Sequence, residues 1–168
     1  MSVRIAVLSD SHVGQRISRY PGEFLSRLRE LDLIIHAGDH TSLESLKILR
    51  KFGRVVAIAG NMDEVGITSE LPEKVILDIE NFKVGVIHGW GPPDDLTFKV
   101  RDKFFKDGLS PDIILFGHSH VPSDEFQSGT RLINPGSLSG NAKESFGSWG
   151  ILTIENDEAR WDLFRIKI

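Results

Sequence analysis

The feature that most constrains the fold is a short apolar run that recurs five times and ends each time in a polar cluster. The runs are rich in Ile and Val and cover residues 3–8, 31–35, 55–59, 84–87 and 113–116. Short, nearly continuous runs of this kind are typical of strands that are buried on both faces. The sequence therefore predicts a sheet whose two sides are both covered.

Helical patterns lie between several of these runs. Phe24 and Leu28 share one face of a helix that begins near Pro21. Residues 41–44 read Thr-Ser-Leu-Glu, which fits a capping box at the start of a second helix, and apolar residues at spacings of four mark a third over 96–104. Because strands and helices alternate, the sequence predicts βαβ units with parallel strands.

Two further segments are predicted to be hairpins. Residues 74–79 and 83–87 flank Glu-Asn-Phe, and residues 149–154 and 159–168 flank a four-residue polar turn. In the last strand the apolar residues change phase after Leu163, which indicates either a bulge or two strand faces read in turn. The predicted fold class is α/β with mixed sheets and helices outside, and 168 residues suit a single domain over 1–168.

Composition excludes several kinds of function. The chain has 20 Lys and Arg against 24 Asp and Glu, and its net charge of −4 argues against a broad surface for nucleic acid or anionic membranes. No apolar run approaches the ~18 residues of a membrane helix, and the first run is too short for a secretory signal, so we expect a cytoplasmic protein. The absence of cysteine excludes disulfides and thiolate metal ligands.

Side chains that bind metals follow the apolar runs. Each run is followed by Asp, Asn or His, usually beside Gly, and the full set is Asp10, His12, Asp39, Asn61, His88, His118 and His120. Ligands of open α/β sheets bind beyond the carboxyl ends of the strands, so we expect these side chains at one edge. Within the pairs 10/12 and 118/120, extended backbone would point both side chains to the same side.

Seven ligands exceed the needs of one ion that keeps an open position, and they favour two ions that share a carboxylate. A mixed oxygen–nitrogen shell suits Mn, Fe, Ni, Zn or Co better than Ca, and the lack of sulfur argues against a structural zinc site. Two ions about 3.5–4 Å apart can hold a bridging hydroxide and clamp the oxygens of an in-line displacement at phosphorus. The set therefore predicts hydrolysis of phosphate esters.

At these residues the sequence resembles the calcineurin-like metallophosphoesterases, and in particular their small YfcE-like bacterial and archaeal phosphodiesterases. The matching motifs are Asp10-Ser11-His12, Gly38-Asp39, Gly60-Asn61-Met62-Asp63, His88-Gly89, Gly117-His118-Ser119-His120 and Ile133-Asn134-Pro135-Gly136-Ser137-Leu138. The resemblance implies a two-sheet β-sandwich of mixed strands flanked by helices. It also implies a first ion and a second ion that share Asp39, held respectively by Asp10, His12 and His120 and by Asn61, His88 and His118.

The resemblance further implies a dinuclear metal-dependent phosphodiesterase in which Asp39, Asn61 and His118 serve catalysis and a metal-bound hydroxide attacks. The expected substrate is a small phosphodiester. The expected ions are two Mn²⁺, with Ni²⁺, Fe²⁺, Zn²⁺, Co²⁺ or Mg²⁺ as alternatives. The other function it allows is a protein-binding scaffold like the retromer subunit of the same fold, against which the complete ligand set weighs. A homo-oligomer built through the apolar C-terminal strand is a further expectation.

Several neighbouring residues have less definite roles. Met62 stands where many family members carry a His that serves the leaving group or the phosphate, and a thioether transfers no proton. We expect Asp63 to orient the His12 ring, as carboxylates near metal sites often do. His36 is expected to have a buried supporting role. His40 is expected at a helix entry, with a role as proton donor as the alternative.

The loop after His88 and a few cations are the other candidates for substrate contact. Trp90 is expected either to stack on a substrate base or to pack under its Pro-rich loop. Arg16, Arg19 and Lys143 could neutralise phosphate, although surface cations usually only interact with water.

Overall fold

The computed structural model describes residues 2–141 and 145–168, which form two five-stranded sheets with helices outside. The strands are β1 (Ser2–Leu8), β2 (Leu33–His36), β3 (Val55–Ala57), β4 (Lys74–Ile79), β5 (Phe82–Ile87), β6 (Ile113–Leu115), β7 (Ser123–Gln127), β8 (Thr130–Asn134), β9 (Phe146–Glu155) and β10 (Glu158–Lys167). The helices are α1 (Gly22–Leu28), α2 (Leu43–Arg50), α3 (Val65–Glu70) and α4 (Leu96–Lys106), with a 3₁₀ turn at Pro93–Asp95.

Each sheet mixes parallel and antiparallel pairs. The first has the order β10-β9-β1-β2-β3, in which β1, β2 and β3 are parallel and β9 and β10 run against their neighbours. The second has the order β4-β5-β6-β8-β7, with β5, β6 and β8 parallel and an antiparallel strand at either edge. This arrangement confirms the predicted α/β class, a two-sheet β-sandwich of mixed strands flanked by helices.

The alternation of side chains along β1 shows why its run is continuously apolar. Ile5 and Val7 pack into the core between the two sheets, whereas Ala6 and Leu8 pack outward against α1 and α2. On the far side, α4 covers the second sheet with its apolar face. Burying one such aliphatic side chain contributes about 1.5–3 kcal/mol. None of the helices within the described ranges has the length and apolar character that crossing a bilayer requires.

The capping box predicted over residues 41–44 is wrong by one position. The N-cap of α2 is Ser42, whose hydroxyl accepts a hydrogen bond from Ser45 N at 3.4 Å. Thr41 lies before the helix in left-handed backbone with φ 78°, and its Oγ1 donates to Val13 O at 2.7 Å. The third helical position is therefore Ser45, and Glu44 cannot complete a box.

The phase change in the last strand reflects two faces and not a bulge. Pairing of β10 with β9 runs without interruption from Glu158 to Lys167. Trp161 packs against the core between the sheets, whereas Phe164 packs with the cluster under α1 and α2. Because β10 forms one edge of its sheet, it is the strand through which the predicted homo-oligomer would pair.

The sequence did not predict α3 or the β7–β8 hairpin. The helix α3 has the sequence Val-Gly-Ile-Thr-Ser-Glu, which is rich in β-branched residues and glycine and so has low helix propensity. The strand β7 is an edge strand with mostly exposed polar residues, so it lacks the buried alternation that marks a strand.

Candidate metal centre

The structure brings all seven predicted ligand side chains together at the seam between the two sheets. In chain order they follow β1, β2, β3, β5 and β6 and are Asp10, His12, Asp39, Asn61, His88, His118 and His120. The first sheet thus contributes four of these side chains and the second sheet three. Neither sheet alone carries a complete site.

One group of four side chains forms a compact pocket for a cation. The candidate ligand atoms of Asp10, His12, Asp39 and His120 all lie within 4.8 Å of one another. Within this first group, His120 Nε2 lies 3.0 Å from Asp10 Oδ1, and His12 Nε2 lies 3.7 Å from Asp39 Oδ2. Such a group of carboxylates and imidazoles suits a divalent transition metal.

A second group lies beside the first and is formed by Asn61, His88 and His118. Asn61 Oδ1 lies 3.1 Å from His88 Nε2 and 3.0 Å from His118 Nδ1. Asp39 connects the groups, because its Oδ2 lies 3.4 Å from His88 Nε2 as well as 3.7 Å from His12 Nε2. Asp39 therefore has the position that a carboxylate shared by two ions would need.

Each buried carboxylate uses one oxygen to bind the protein and presents the other to the site. Asp10 Oδ2 accepts hydrogen bonds from Ser9 Oγ at 2.6 Å and His118 N at 3.0 Å. Asp39 Oδ1 accepts a hydrogen bond from Met62 N at 2.8 Å. The remaining oxygen of each carboxylate is thereby fixed toward the histidines, as metal ligands usually are by their surroundings.

In two of the imidazoles, likewise, one ring nitrogen binds the protein and the other faces the site. His88 Nδ1 donates to Ala37 O at 2.7 Å, and His118 Nε2 donates to Gly91 O at 2.9 Å. The nitrogens that face Asn61 Oδ1 are then lone-pair acceptors in the neutral rings. Three acceptor atoms thus converge without a donor among them, which is an arrangement that a cation would satisfy.

Buried atoms without partners fit the same interpretation. Asp10 Oδ1 and both ring nitrogens of His12 are buried and make no hydrogen bond of good geometry among the described residues, although His120 Nε2 lies 3.0 Å from Asp10 Oδ1. Buried polar atoms are nearly always paired in folded proteins, so unpaired ones need an explanation. A divalent ion in the first group would give a partner to Asp10 Oδ1 and to one ring nitrogen of His12, so the residues present fit a divalent metal.

Without a cation, a proton takes part of this role. Burial lowers the pKa of His88, but its hydrogen bond to Asp39 and the charges of Asp10 and Asp39 outweigh burial and raise that pKa to about 9. Burial likewise acts to raise the pKa of Asp39, and contact with His88 reverses the effect and lowers it. The negative charges of Asp10 and Asp39 therefore favour a positive charge beside them. An ion that binds at His88 must displace the proton of that ring.

The backbone at the ligands is left-handed, which the sequence analysis did not foresee. The φ angles are 51° at Asp10, 43° at His12, 58° at Asp39, 70° at His118 and 60° at His120. The extended geometry expected for the pairs 10/12 and 118/120 is therefore wrong, and sharp reversals aim these side chains inward. Left-handed residues other than glycine cost about 1–2 kcal/mol each and cluster at functional sites.

Residues 134–139, called here the brace segment, hold the two sides of the site together. Asn134 Nδ2 donates to Gly117 O at 2.9 Å, in the loop that carries His118 and His120. Ser137 Oγ and Ser139 Oγ donate to Asp10 O at 2.9 and 3.0 Å. The sequence marked this segment only as a turn and a family motif, and its role in positioning the ligand loops appears only in the structure.

The expected contact of Asp63 with His12 is wrong. Its two oxygens accept hydrogen bonds from Thr41 N at 2.7 Å and Gly60 N at 2.8 Å. Asp63 therefore joins the loops that follow β2 and β3, and so supports Asp39 and Asn61 through the backbone.

His36 and His40 are buried beneath the site. His36 Nε2 lies 2.8 Å from Ser11 Oγ, and His40 Nε2 lies 2.9 Å from Ile58 O. Their ring centroids are 3.7 Å apart, and burial lowers the pKa of both rings. The supporting role expected of His36 agrees with this position. His40 faces the interior and does not reach a substrate.

Of the three candidate cations, Arg16 alone among the described residues contacts a predicted ligand. One guanidinium nitrogen of Arg16 lies 3.3 Å from His120 Nδ1, at the exposed rim of the first group. Arg19 is exposed in the same loop, and Lys143 lies outside the described residues. Of the three candidates, Arg16 is therefore the one that the structure brings to the ligand set.

Comparison with known proteins identifies the family of this chain. The calcineurin-like phosphoesterase superfamily domain matches residues 3–157, so the chain belongs to that family. A probable metallophosphoesterase of Methanocaldococcus jannaschii is 37% identical over 136 residues, which are 79% of this chain and 67% of the relative. These findings confirm the resemblance that the motifs indicated.

Solved structures extend the likeness to nearly the whole chain. A Thermotoga maritima protein solved by NMR is 36% identical, with a TM-score of 0.77 over 98% of this chain and 99% of that chain. Vps29 of Entamoeba histolytica in complex with Zn²⁺ is 26% identical, with a TM-score of 0.75 over 98% of this chain and 99% of that chain.

Proposed function

We propose that the protein is a metal-dependent phosphodiesterase that uses two divalent ions to hydrolyse small phosphodiesters. The observation that carries this proposal is the contact of Asp39 with both ligand groups, at 3.7 Å from His12 Nε2 and 3.4 Å from His88 Nε2. A carboxylate in this position can join two cations at short distance, and paired cations are suited to displacement at phosphorus. Membership of the phosphoesterase superfamily supports the same chemistry.

The first group would hold one ion through Asp10, His12, Asp39 and His120. The second group would hold the other ion through Asn61, His88 and His118, together with the shared Asp39. Oxygen and nitrogen donors without sulfur favour Mn²⁺, with Ni²⁺, Fe²⁺, Zn²⁺, Co²⁺ or Mg²⁺ as alternatives. When bound, such ions supply Lewis-acid activation of water and neutralise charge on the phosphoryl group.

The residues of the chain position the substrate and limit the choice of leaving group. Asn61 is exposed and His118 is partly exposed, so these two, with Asp39, are the side chains that we assign to catalysis. Met62 is 51% exposed beside Asn61 and can donate no proton. A leaving group that departs readily as an anion is then favoured, because this position supplies no proton. We therefore expect esters of acidic alcohols and phenols to react fastest.

Hydrolysis of bis-p-nitrophenyl phosphate by metal-stripped protein, before and after addition of Mn²⁺, tests the proposal. We expect turnover only with the metal. His118→Ala should abolish this turnover, because it removes one ligand of the second group. Absence of turnover while two ions are bound would contradict the proposal.

That contrary result would favour a second candidate, a protein-binding scaffold. The likeness to Vps29 over nearly the full chain supports this candidate. The complete ligand set weighs against it, because a scaffold has no need of seven converging ligand side chains.

Arg16 is expected to bind the phosphoryl charge of the substrate. Replacing it by Ala should raise KM for bis-p-nitrophenyl phosphate about five- to tenfold with little change in kcat, since a charge-assisted contact to phosphate is removed. Steady-state kinetics with Mn²⁺ measures both constants. Arg19→Ala, in the same exposed loop, serves as the matched control. An unchanged KM in Arg16→Ala would show that this guanidinium does not touch the substrate.

The stability of the metal-free protein should depend on pH through His88. Because the folded protein holds this proton with a pKa of about 9 and the unfolded chain with about 6.5, the stabilisation is complete below pH 6.5 and is lost as pH rises to 9. The loss should be about 3 kcal/mol, measured by urea unfolding in EDTA at pH 6.5 and 9.5.

A matched variant separates His88 from other titrating groups. His88→Gln should show little of this loss between pH 6.5 and 9.5. Burial lowers the pKa of His12, His36 and His40, so these rings act below pH 6.5 and outside the tested window. A wild-type stability that is constant across the window would contradict the assigned proton.

A further inference from the structure

A cavity opens beside the second ligand group and extends away from the metal centre. Its volume is about 260 Å³, and it shares only Asn61 and His88 with the ligand set. Its other lining residues are Ala59, Gly60, Thr68, Leu71, Glu73, Ile87, Gly89 and Trp90. A group esterified to a phosphate over the two ions would therefore reach this cavity directly.

Part of the cavity wall is apolar and aromatic. Leu71 and Ile87 supply aliphatic surface, and Trp90 is 41% exposed beside them. Ala59 N donates to Pro72 O at 2.9 Å, which fixes the end of α3 against the loop after β3. A large exposed aromatic ring at the edge of a fixed apolar cavity is suited to stacking on a flat ligand.

The Trp90 loop is tied to the metal centre through its neighbours. Gly91 O accepts the hydrogen bond from His118 Nε2 at 2.9 Å. Gly89 has φ 101°, and a Cβ at this position would lie 2.8 Å from Leu96 Cδ1, so only glycine allows the loop to approach α4 this closely. The backbone on either side of Trp90 is therefore held by contacts that involve a candidate ligand and α4.

Size and charge limit what the cavity accepts. A volume of 260 Å³ is just below the range of about 300–1,000 Å³ that holds whole drug-sized ligands, and it suits a single ring system. The polar lining includes the Glu73 carboxylate, 3.7 Å from Lys103 Nζ, and the Thr68 hydroxyl. A carboxylate disfavours a second phosphate here and favours a ring that carries N–H donors.

We propose that this cavity binds the nucleobase of the substrate, so that the preferred substrates are phosphodiesters of nucleosides with amino-bearing bases. The base would stack on Trp90 and offer its amino group to Glu73. This inference rests on the proposed phosphodiesterase function for the position of the phosphate, whereas the base-binding cavity itself is tested without catalysis.

Tryptophan fluorescence of the metal-free protein tests base binding directly. We expect adenosine to quench the emission with saturation, and ribose, which lacks the base, to leave it unchanged. The saturable quench should disappear in Trp90→Phe, because neither of the other two tryptophans lines the cavity: Trp149 is only 2% exposed, and Trp161 packs against the core between the sheets. A quench by adenosine that persists in Trp90→Phe, or no quench at all, would overturn the proposal.

Kinetics with a matched pair of substrates tests the preference. The p-nitrophenyl ester of adenosine 5′-phosphate and methyl p-nitrophenyl phosphate release the same phenolate and differ only in the retained group. With Mn²⁺, we expect kcat/KM about tenfold higher for the adenosine ester, as stacking of one base allows. Trp90→Ala should abolish this preference, and Trp90→Phe should retain most of it.

The same kinetics in a control variant and in the wild type distinguish failure of the nucleobase subsite from failure of the phosphodiesterase proposal. Phe98→Ala removes an aromatic ring that is 58% exposed on α4 outside the cavity, and it should leave the preference intact. An equal preference in wild type and Trp90→Ala would overturn the nucleobase subsite. If the wild type hydrolyses neither ester, the phosphodiesterase proposal fails, and the adenosine titration still decides whether the cavity binds a base.

Discussion

Asp39→Asn is expected to lower kcat/KM for bis-p-nitrophenyl phosphate by at least about a thousandfold and to remove both ions from the protein. The substitution keeps the shape of the side chain, and its amide oxygen can still accept from Met62 N, which Asp39 Oδ1 does at 2.8 Å. It removes the negative charge that lies 3.7 Å from His12 Nε2 and 3.4 Å from His88 Nε2. Loss of this one charge therefore weakens both ligand groups at once.

Metal content by mass spectrometry and turnover with Mn²⁺ measure the two effects separately. Asp94→Asn serves as the control, because Asp94 is an exposed carboxylate outside the ligand set. An Asp39→Asn protein that keeps two ions and full turnover would show that Asp39 is not the shared ligand. A protein that keeps one ion would show that only one group depends on it.

Gly117→Ala is expected to lower metal affinity more than a hundredfold and to destabilise the protein by about 3 kcal/mol or more. A Cβ at this position would overlap Ser9 Oγ and lie 2.6 Å from Asp10 Oδ2. The backbone cannot move away easily, since Gly117 N donates to His88 O at 3.1 Å and Gly117 O accepts from Asn134. The added methyl group must therefore displace Ser9 Oγ, which donates to Asp10 Oδ2, and crowd the Asp10 carboxylate itself.

Urea unfolding and metal titration measure this effect, with Gly66→Ala as the matched control. Gly66 lies in α3 with nothing within 4 Å of its Cβ position, so its substitution should stabilise the protein by roughly 0.5–1 kcal/mol. Wild-type stability together with wild-type metal affinity in Gly117→Ala would refute the close packing of the two ligand loops.

The strands and the ligand positions were predictable because both depend on residues that are close together in the sequence. The run before Asp10 is apolar on both faces, and the polar residues that end it follow at once, so pattern alone places them at a strand end. The backbone reversals at Asp10 and His118 were not predictable, since hydrogen bonds from distant segments impose them. Asp10 Oδ2 accepts from His118 N, 108 positions away, and Ser139 Oγ donates to Asp10 O, 129 positions away.

Asp63 is an example of a contact that the sequence predicted and the structure does not show. Its place in a family motif next to Asn61 suggested a contact with His12, whereas the structure uses it to join the loops after β2 and β3. The segments α3 and β7 were missed because neither buries a periodic apolar face.

The position of the ligand groups at the seam between the two sheets affects how the protein unfolds. Four ligands belong to one sheet and three to the other, so ions that share Asp39 would add a crosslink between two halves that already meet through apolar packing and a few hydrogen bonds, such as those of the brace segment to Asp10 O. Binding energy that exists only when both halves are in place raises the cost of separating them. With ions bound, the two sheets would therefore lose their native structure as one cooperative unit, and without ions each could fluctuate separately.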